Sequence, residues 1–171
     1  MTERVIVTGG ELTKTLVTVY DEQGFVTEWP SLNMGRYGHG CGHFVNDDGQ
    51  LVSQTLLIRF YVQHFQAYLV TGGREDAMAT STTELLVEGE PVWSVLPGSG
   101  DLPIGAAVGL RTVSVNNELI ACGGHSVATA NTIVKFDPST LQWLQVDTMK
   151  QPRSNHGMSV VNVADIIEYC V

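Results

Sequence analysis

Apolar and polar positions along this chain alternate or cluster in short runs of four to eight, and nowhere do they recur at helical spacing. Three runs end in a glycine pair: Val5-Ile6-Val7-Thr8 before Gly9-Gly10, Tyr68-Leu69-Val70-Thr71 before Gly72-Gly73, and Leu119-Ile120-Ala121-Cys122 before Gly123-Gly124. Runs of this length that stop at glycine predict buried strands, with the glycines supplying positive φ or close backbone approach. A second strand is predicted over 16–21, 82–87 and 132–137, ending on Tyr20 in the first unit and Phe136 in the third. Turn residues follow, such as Glu22-Gln23-Gly24 and Pro138-Ser139-Thr140, and then a strand holding a tryptophan, over 25–29, 92–96 and 142–146.

From the second glycine to Trp29, Trp93 and Trp143 the spacing is 19, 20 and 19 residues, so the pattern is a repeat and all three tryptophans are expected buried at equivalent points between the sheets. A fourth strand is expected over 41–45, 109–115 and 158–163; the first two end in the hairpin turns Asn46-Asp47-Asp48-Gly49 and Asn116-Asn117. Four short antiparallel strands repeated three times predict an all-β fold whose sheets are the blades of a β-propeller.

An apolar strand with Gly-Gly, an aromatic near Asp, a Trp, and then Arg-x-x-His-Gly resembles the kelch repeat. The last element is Arg36-Tyr37-Gly38-His39-Gly40 and Arg153-Ser154-Asn155-His156-Gly157, and Pro103-Ile104-Gly105-Ala106-Ala107 is expected to stand in its place in the second unit. The resemblance implies a kelch-type β-propeller fragment of about three four-stranded antiparallel blades. It forms a single domain over 1–171, with units roughly 1–36, 37–102 and 103–152 and a terminal strand in 153–171. That strand is expected to complete the first unit. Three blades fall short of the four to eight of closed propellers, so a fragment of a larger ring is the favoured reading, ahead of a dimer of half-rings or an open arc. The glycine pairs are 63 and then 51 residues apart, and the surplus is assigned to an irregular insert over 53–67, dispensable for folding.

Composition narrows the function. The 171 residues carry 43% hydrophobic and 16% charged residues, the balance of a folded domain. A net charge of −9 argues against nucleic acid and anionic membranes as partners. No apolar run reaches 18 residues, no signal-peptide pattern opens the chain, and the cysteines are three and scattered, which together suggest a cytoplasmic protein. Self-association through incomplete propeller edges is a further expectation.

No nucleophile elbow, phosphate loop or Cys-x-x-Cys pair occurs, so no catalytic residue or cofactor is assigned. Among the five histidines, His39 and His156 are repeat residues expected to bond nearby backbone, and none has zinc-site spacing, so no metal is assigned. Cys122 reads as a plain core thiol. The resemblance extends to copper radical oxidases, for which Cys41 near Tyr37 is the nearest approach; such an enzyme, or a non-functional fragment of a larger kelch protein, are the alternatives. The leading reading is a protein-interaction module whose loop-lined face carries Arg36, Arg74, Glu75, Asp76, His125 and Arg153. Converging arginines suit a protein or acidic peptide partner through bidentate bonds to carboxylates.

Overall fold

The computed structural model describes residues 4–46, 65–125 and 130–161. Apart from one 3₁₀ turn, Gly98–Gly100, every regular element in them is a strand. Sheet 1 contains β1 (Arg4–Thr8), β2 (Val17–Asp21) and β3 (Val26–Trp29) in that order. In sheet 2, β4 (Gly40–Asn46) and β5 (Phe65–Thr71) are followed by a two-strand hairpin of β6 (Arg74–Glu75) and β7 (Met78–Ala79). The sheet then resumes with β8 (Thr83–Val87) and β9 (Ser94–Val95), in the order β4-β5-β8-β9. Sheet 3 is β10 (Val108–Val115), β11 (Glu118–His125), β12 (Thr132–Asp137) and β13 (Gln142–Thr148). All pairings are antiparallel, as expected for kelch-type blades.

Strand alternation decides which sheet each residue meets. In β5, Tyr68 and Val70 face sheet 1, where they join Val17, Leu32, Leu86 and Trp93 in one buried cluster. Ala67 and Leu69 face sheet 3 and join Phe44, Leu85, Leu119, Ala121, Phe136 and Trp143 in a larger one. The innermost strands of sheets 2 and 3 lie side by side. Ser114 Oγ donates to the His43 carbonyl at 2.7 Å, and Thr112 Oγ1 and Asn117 Nδ2 donate to those of Cys41 and Val45. The β10–β11 hairpin turns on Asn116 and Asn117, both at positive φ (49° and 64°), as the sequence predicts.

Four sequence expectations are corrected. The first concerns Trp29. Trp143 stands opposite Phe136, and its Nε1 donates back to Thr83 Oγ1 of sheet 2 at 3.1 Å. Trp93 likewise reaches back to the Pro30 carbonyl at 2.7 Å. Trp29 instead pairs with Val17 on the opposite face of its sheet, is only half-buried, and meets Tyr68 of the next sheet edge-on at 4.9 Å. The glycine-pair loop is shorter in the first unit. Val17, Thr83 and Ile133 stand opposite the residue before each pair, yet lie seven, ten and nine residues past Gly10, Gly73 and Gly124. Equal spacing to tryptophan therefore hides unequal registers.

The second correction places the signature of the middle unit. Gly10 N donates to the Arg36 carbonyl at 3.0 Å, Gly124 N to that of Arg153 at 2.8 Å, and Gly73 N to that of Ala107 at 2.7 Å. A Cβ on Gly9 would strike Arg36 and His39, one on Gly123 Arg153 and His156, and one on Gly72 Ala107 and Leu110. The equivalent segment is thus Ala107-Val108-Gly109-Leu110-Arg111, four residues later than expected, with Ala107 in the arginine's place and Leu110 in the histidine's. The displaced residues Leu102 and Ile104 plug the core between sheets 2 and 3.

Third, residues 65–67 of the expected insert are structural. They open β5, with Gln66 paired to Val45 and Ala67 to Phe44 and Val87. Ala67 is fully buried; residues 47–64, which include 53–64 of the expected insert, lie outside the described residues. Fourth, residues 158–161 form no strand and do not complete sheet 1, which has three strands among the described residues; 162 and 163 lie outside them.

Candidate functional site

Arg36 was expected on the exposed face and is found in the core. Its side chain is fully buried, with Nη1 on the Gly72 and Thr82 carbonyls at 2.9 and 3.0 Å and Nη2 on Glu84 Oε1 at 2.6 Å. Burial pushes the guanidinium below its usual value and Glu84 opposes the shift. Glu84 also accepts from Asn33 N and Met34 N at 2.7 and 3.1 Å, so one carboxylate clasps the end of the first unit onto sheet 2. An acid within the apolar run Thr83-Glu84-Leu85-Leu86 was the sequence signal for this pair.

His39 bonds a side chain, its Nε2 lying 2.8 Å from Thr8 Oγ1, and backbone hydrogen bonds with Thr8 and Arg36 also act on the ring. Burial, with Arg36 nearby, lowers its pKa to about 4, so the ring is neutral. Tyr20 is exposed on sheet 1 and Phe136 is buried against Trp143.

The remaining site residues sit at loop ends on one face. Glu11, Arg74 and His125 each follow a glycine pair and occupy equivalent places. Arg74 exchanges backbone hydrogen bonds with Tyr37 at 3.0 and 3.1 Å, its guanidinium lies 5.3 Å over the Tyr37 ring, and its Nε donates to the Asp76 carbonyl. His125 pairs with Val108 in the same manner. Glu75 and Asp76 are exposed, and Asp76 ion-pairs with Lys14 across the units, raising the Lys14 pKa through that hydrogen bond.

At the centre of this face the turn residues of successive units stack. Gly109 N donates to the Gly38 carbonyl at 2.6 Å and Asn155 N to the Gly109 carbonyl at 2.8 Å, all three at positive φ. Gly109 is confined twice over, since a Cβ there would also strike Asn155. Beside the stack opens a cleft of about 420 Å³ lined by Arg74, Ala77, Ala79, Val108, His125, Ser154 and Asn155. The structure thus brings Arg74 and His125 together, with exposed Arg153 adjacent through Ser154. It excludes Arg36, and leaves Glu75 and Asp76 on the outer rim of the β6–β7 hairpin. Ala77, Ala79 and Val108 were not foreseen, because a cleft floor of small side chains leaves no mark in a single sequence.

Among the described residues no cluster of three or more His, Cys, Asp or Glu is arranged to hold a metal ion, and no helix is long and apolar enough to cross a membrane. Residues 106–150 match the Kelch motif. They run from the Ala107 signature through the tryptophan strand β13 and take in the four strands of sheet 3.

Proposed function

We propose, for a chain that belongs to the kelch-repeat family, that it is a protein-interaction module whose docking point is the cleft between Arg74 and His125. The kelch motif marks a β-propeller family generally associated with protein interaction, which supports the class. The choice of cleft rests on one observation: two nitrogen-bearing side chains at repeat-equivalent positions converge on a single concavity with Ser154 and Asn155. Its volume lies within the roughly 300–1,000 Å³ of ordinary ligand sites.

The ligand is an acidic peptide, one carboxylate of which enters the cleft. Arg74 offers charge-assisted donors, and Tyr37 stacked beneath it fixes the guanidinium plane. With a net charge of −9 the protein opposes such a ligand at long range; within about 8 Å, the screening length in physiological salt, the local cation dominates. Fluorescence anisotropy with Asp- and Glu-rich peptides tests the reading. Arg74→Ala is expected to weaken binding about tenfold or more while leaving the melting temperature unchanged. Equal affinities for wild type, Arg74→Ala and His125→Ala would overturn it.

A further inference from the structure

On the face of sheet 3 turned away from sheet 2, the chain brings together a thiol, an imidazole and a thioether. Cys122 Sγ lies 3.4 Å from His156 Nε2 and 3.5 Å from Met158 Sδ, although 34 and 36 residues separate them in sequence. Cys122 is buried, and His156 and Met158 are half-buried.

The repeat supplies two built-in comparisons. The same three positions hold Thr8, His39 and Cys41 in the first unit and Thr71, Leu110 and Thr112 in the second. There they close ordinary contacts: Thr8 Oγ1 with His39 Nε2 at 2.8 Å, and Thr71 Oγ1 with Thr83 Oγ1 at 2.9 Å. In the third unit alone does each of the three positions carry a sulfur or an imidazole nitrogen.

We propose that Cys122 Sγ, His156 Nε2 and Met158 Sδ form a three-coordinate site for Cu(I). Thiolate and thioether sulfur select a soft ion, and a thioether is a poor ligand for Zn(II), Mg(II) or Ca(II). With bonds of about 2.0–2.3 Å to nitrogen and sulfur, Cys122 Sγ needs to part from His156 Nε2 and from Met158 Sδ by only a few tenths of an ångström. Net charge points the same way. Arg111 and Arg153 act on His156 as neighbouring cations. A monovalent ion on a thiolate is neutral beside them, whereas a divalent ion leaves a third positive charge. A metal on Nε2 takes the place of the Nε2–Cys122 hydrogen bond and puts the ring's proton on Nδ1, which is buried without a partner among the described residues. Binding replaces the Cys122 thiol proton, which leaves to solvent, and changes no oxidation state. Bound metal would tether the Asn155–Met158 segment to β11.

The test is anaerobic titration of the full chain with Cu(I) supplied as its bicinchoninate complex, read by loss of the complex's colour. One equivalent is expected to transfer. Met158→Leu, which conserves volume, and Cys122→Thr, the residue found at this place in the other two units, are each expected to weaken capture at least tenfold with melting behaviour retained. Cys41→Ser and Cys170→Ser are expected to bind as wild type, and X-ray absorption of the loaded protein to show a mixed sulfur and nitrogen shell. Three outcomes overturn the proposal: no transfer from bicinchoninate, capture that survives both Met158→Leu and Cys122→Thr, or capture lost with Cys41 or Cys170 instead. Zn(II) bound as tightly as Cu(I) would overturn the assignment of the ion.

Discussion

Arg36 and Glu84 show how one residue's environment reverses the meaning of a motif. Both side chains are fully enclosed, and a carboxylate left there without its guanidinium, or the reverse, carries a large desolvation cost. Glu84→Gln is therefore expected to lower stability by roughly 3–5 kcal/mol in urea unfolding, whereas replacing both partners with hydrophobic residues, as in Arg36→Met with Glu84→Leu, loses less. His39 makes the second prediction. Its pKa is about 4 in the fold and about 6.5 in the unfolded chain. The unfolded state thus binds the proton first as pH falls, and stability drops between about pH 6.5 and 4. The urea midpoint should fall from pH 7 to pH 5. His39→Leu, which copies Leu110 at the equivalent place, should narrow that difference; an unchanged difference would show that the ring titrates freely in the fold.

Among elements, strand contacts are set by small residues that neighbouring sheets lean on. Gly42 in β4 lies beneath Leu119 of sheet 3, where a Cβ would stand 2.1 Å from Leu119 Cδ1. Gly42→Ala is expected to cost about 1–3 kcal/mol by overpacking. Gly89, at φ 91° with nothing within 4 Å, gives a comparison that carries only the backbone term of about 1 kcal/mol. Melting curves of the two variants separate packing from conformation. Strand identity was legible in the sequence because alternation and glycine pairs mark it locally: Thr132–Asp137 matches its predicted bounds, and Val17–Asp21 and Thr83–Val87 differ by one residue. Register across units was not legible. It depends on loop lengths between the glycine pair and β2, β8 or β12, and the tryptophan spacing masked that variation. The site was half legible for a related reason: loops after equivalent glycines can be placed on one face, but burial cannot be read there. Arg36 and Arg153 look identical in sequence and end in opposite environments.

For the whole molecule, the repeat identifies which surface is bare. Val5, Val7 and Tyr20 occupy the places of Tyr68, Val70 and Leu86, which sheet 1 covers; yet Val5 and Val7 are 63% and 50% exposed, and Tyr20 and Val26 beside them are exposed too. An apolar sheet face of that size favours self-association. Sedimentation velocity is expected to show concentration-dependent dimers or larger species, reduced in Val5→Glu/Val7→Glu with little loss of thermal stability. A wild-type chain that stays monomeric at high concentration would show the bare face to be innocuous. Sheet 2 is held from both sides and sheet 1 from one, by a cluster of modest size and by the Glu84 carboxylate that grips Asn33, Met34 and Arg36. The lifetime of that grip therefore sets a clock. Each time it lets go, sheet 1 can swing off as a unit while sheets 2 and 3 stay folded, and Tyr68, Val70, Leu86 and Trp93 reach water together. Amide exchange in β1–β3 and the onset of aggregation would then share one rate, that of a carboxylate losing its donors on Asn33, Met34 and Arg36.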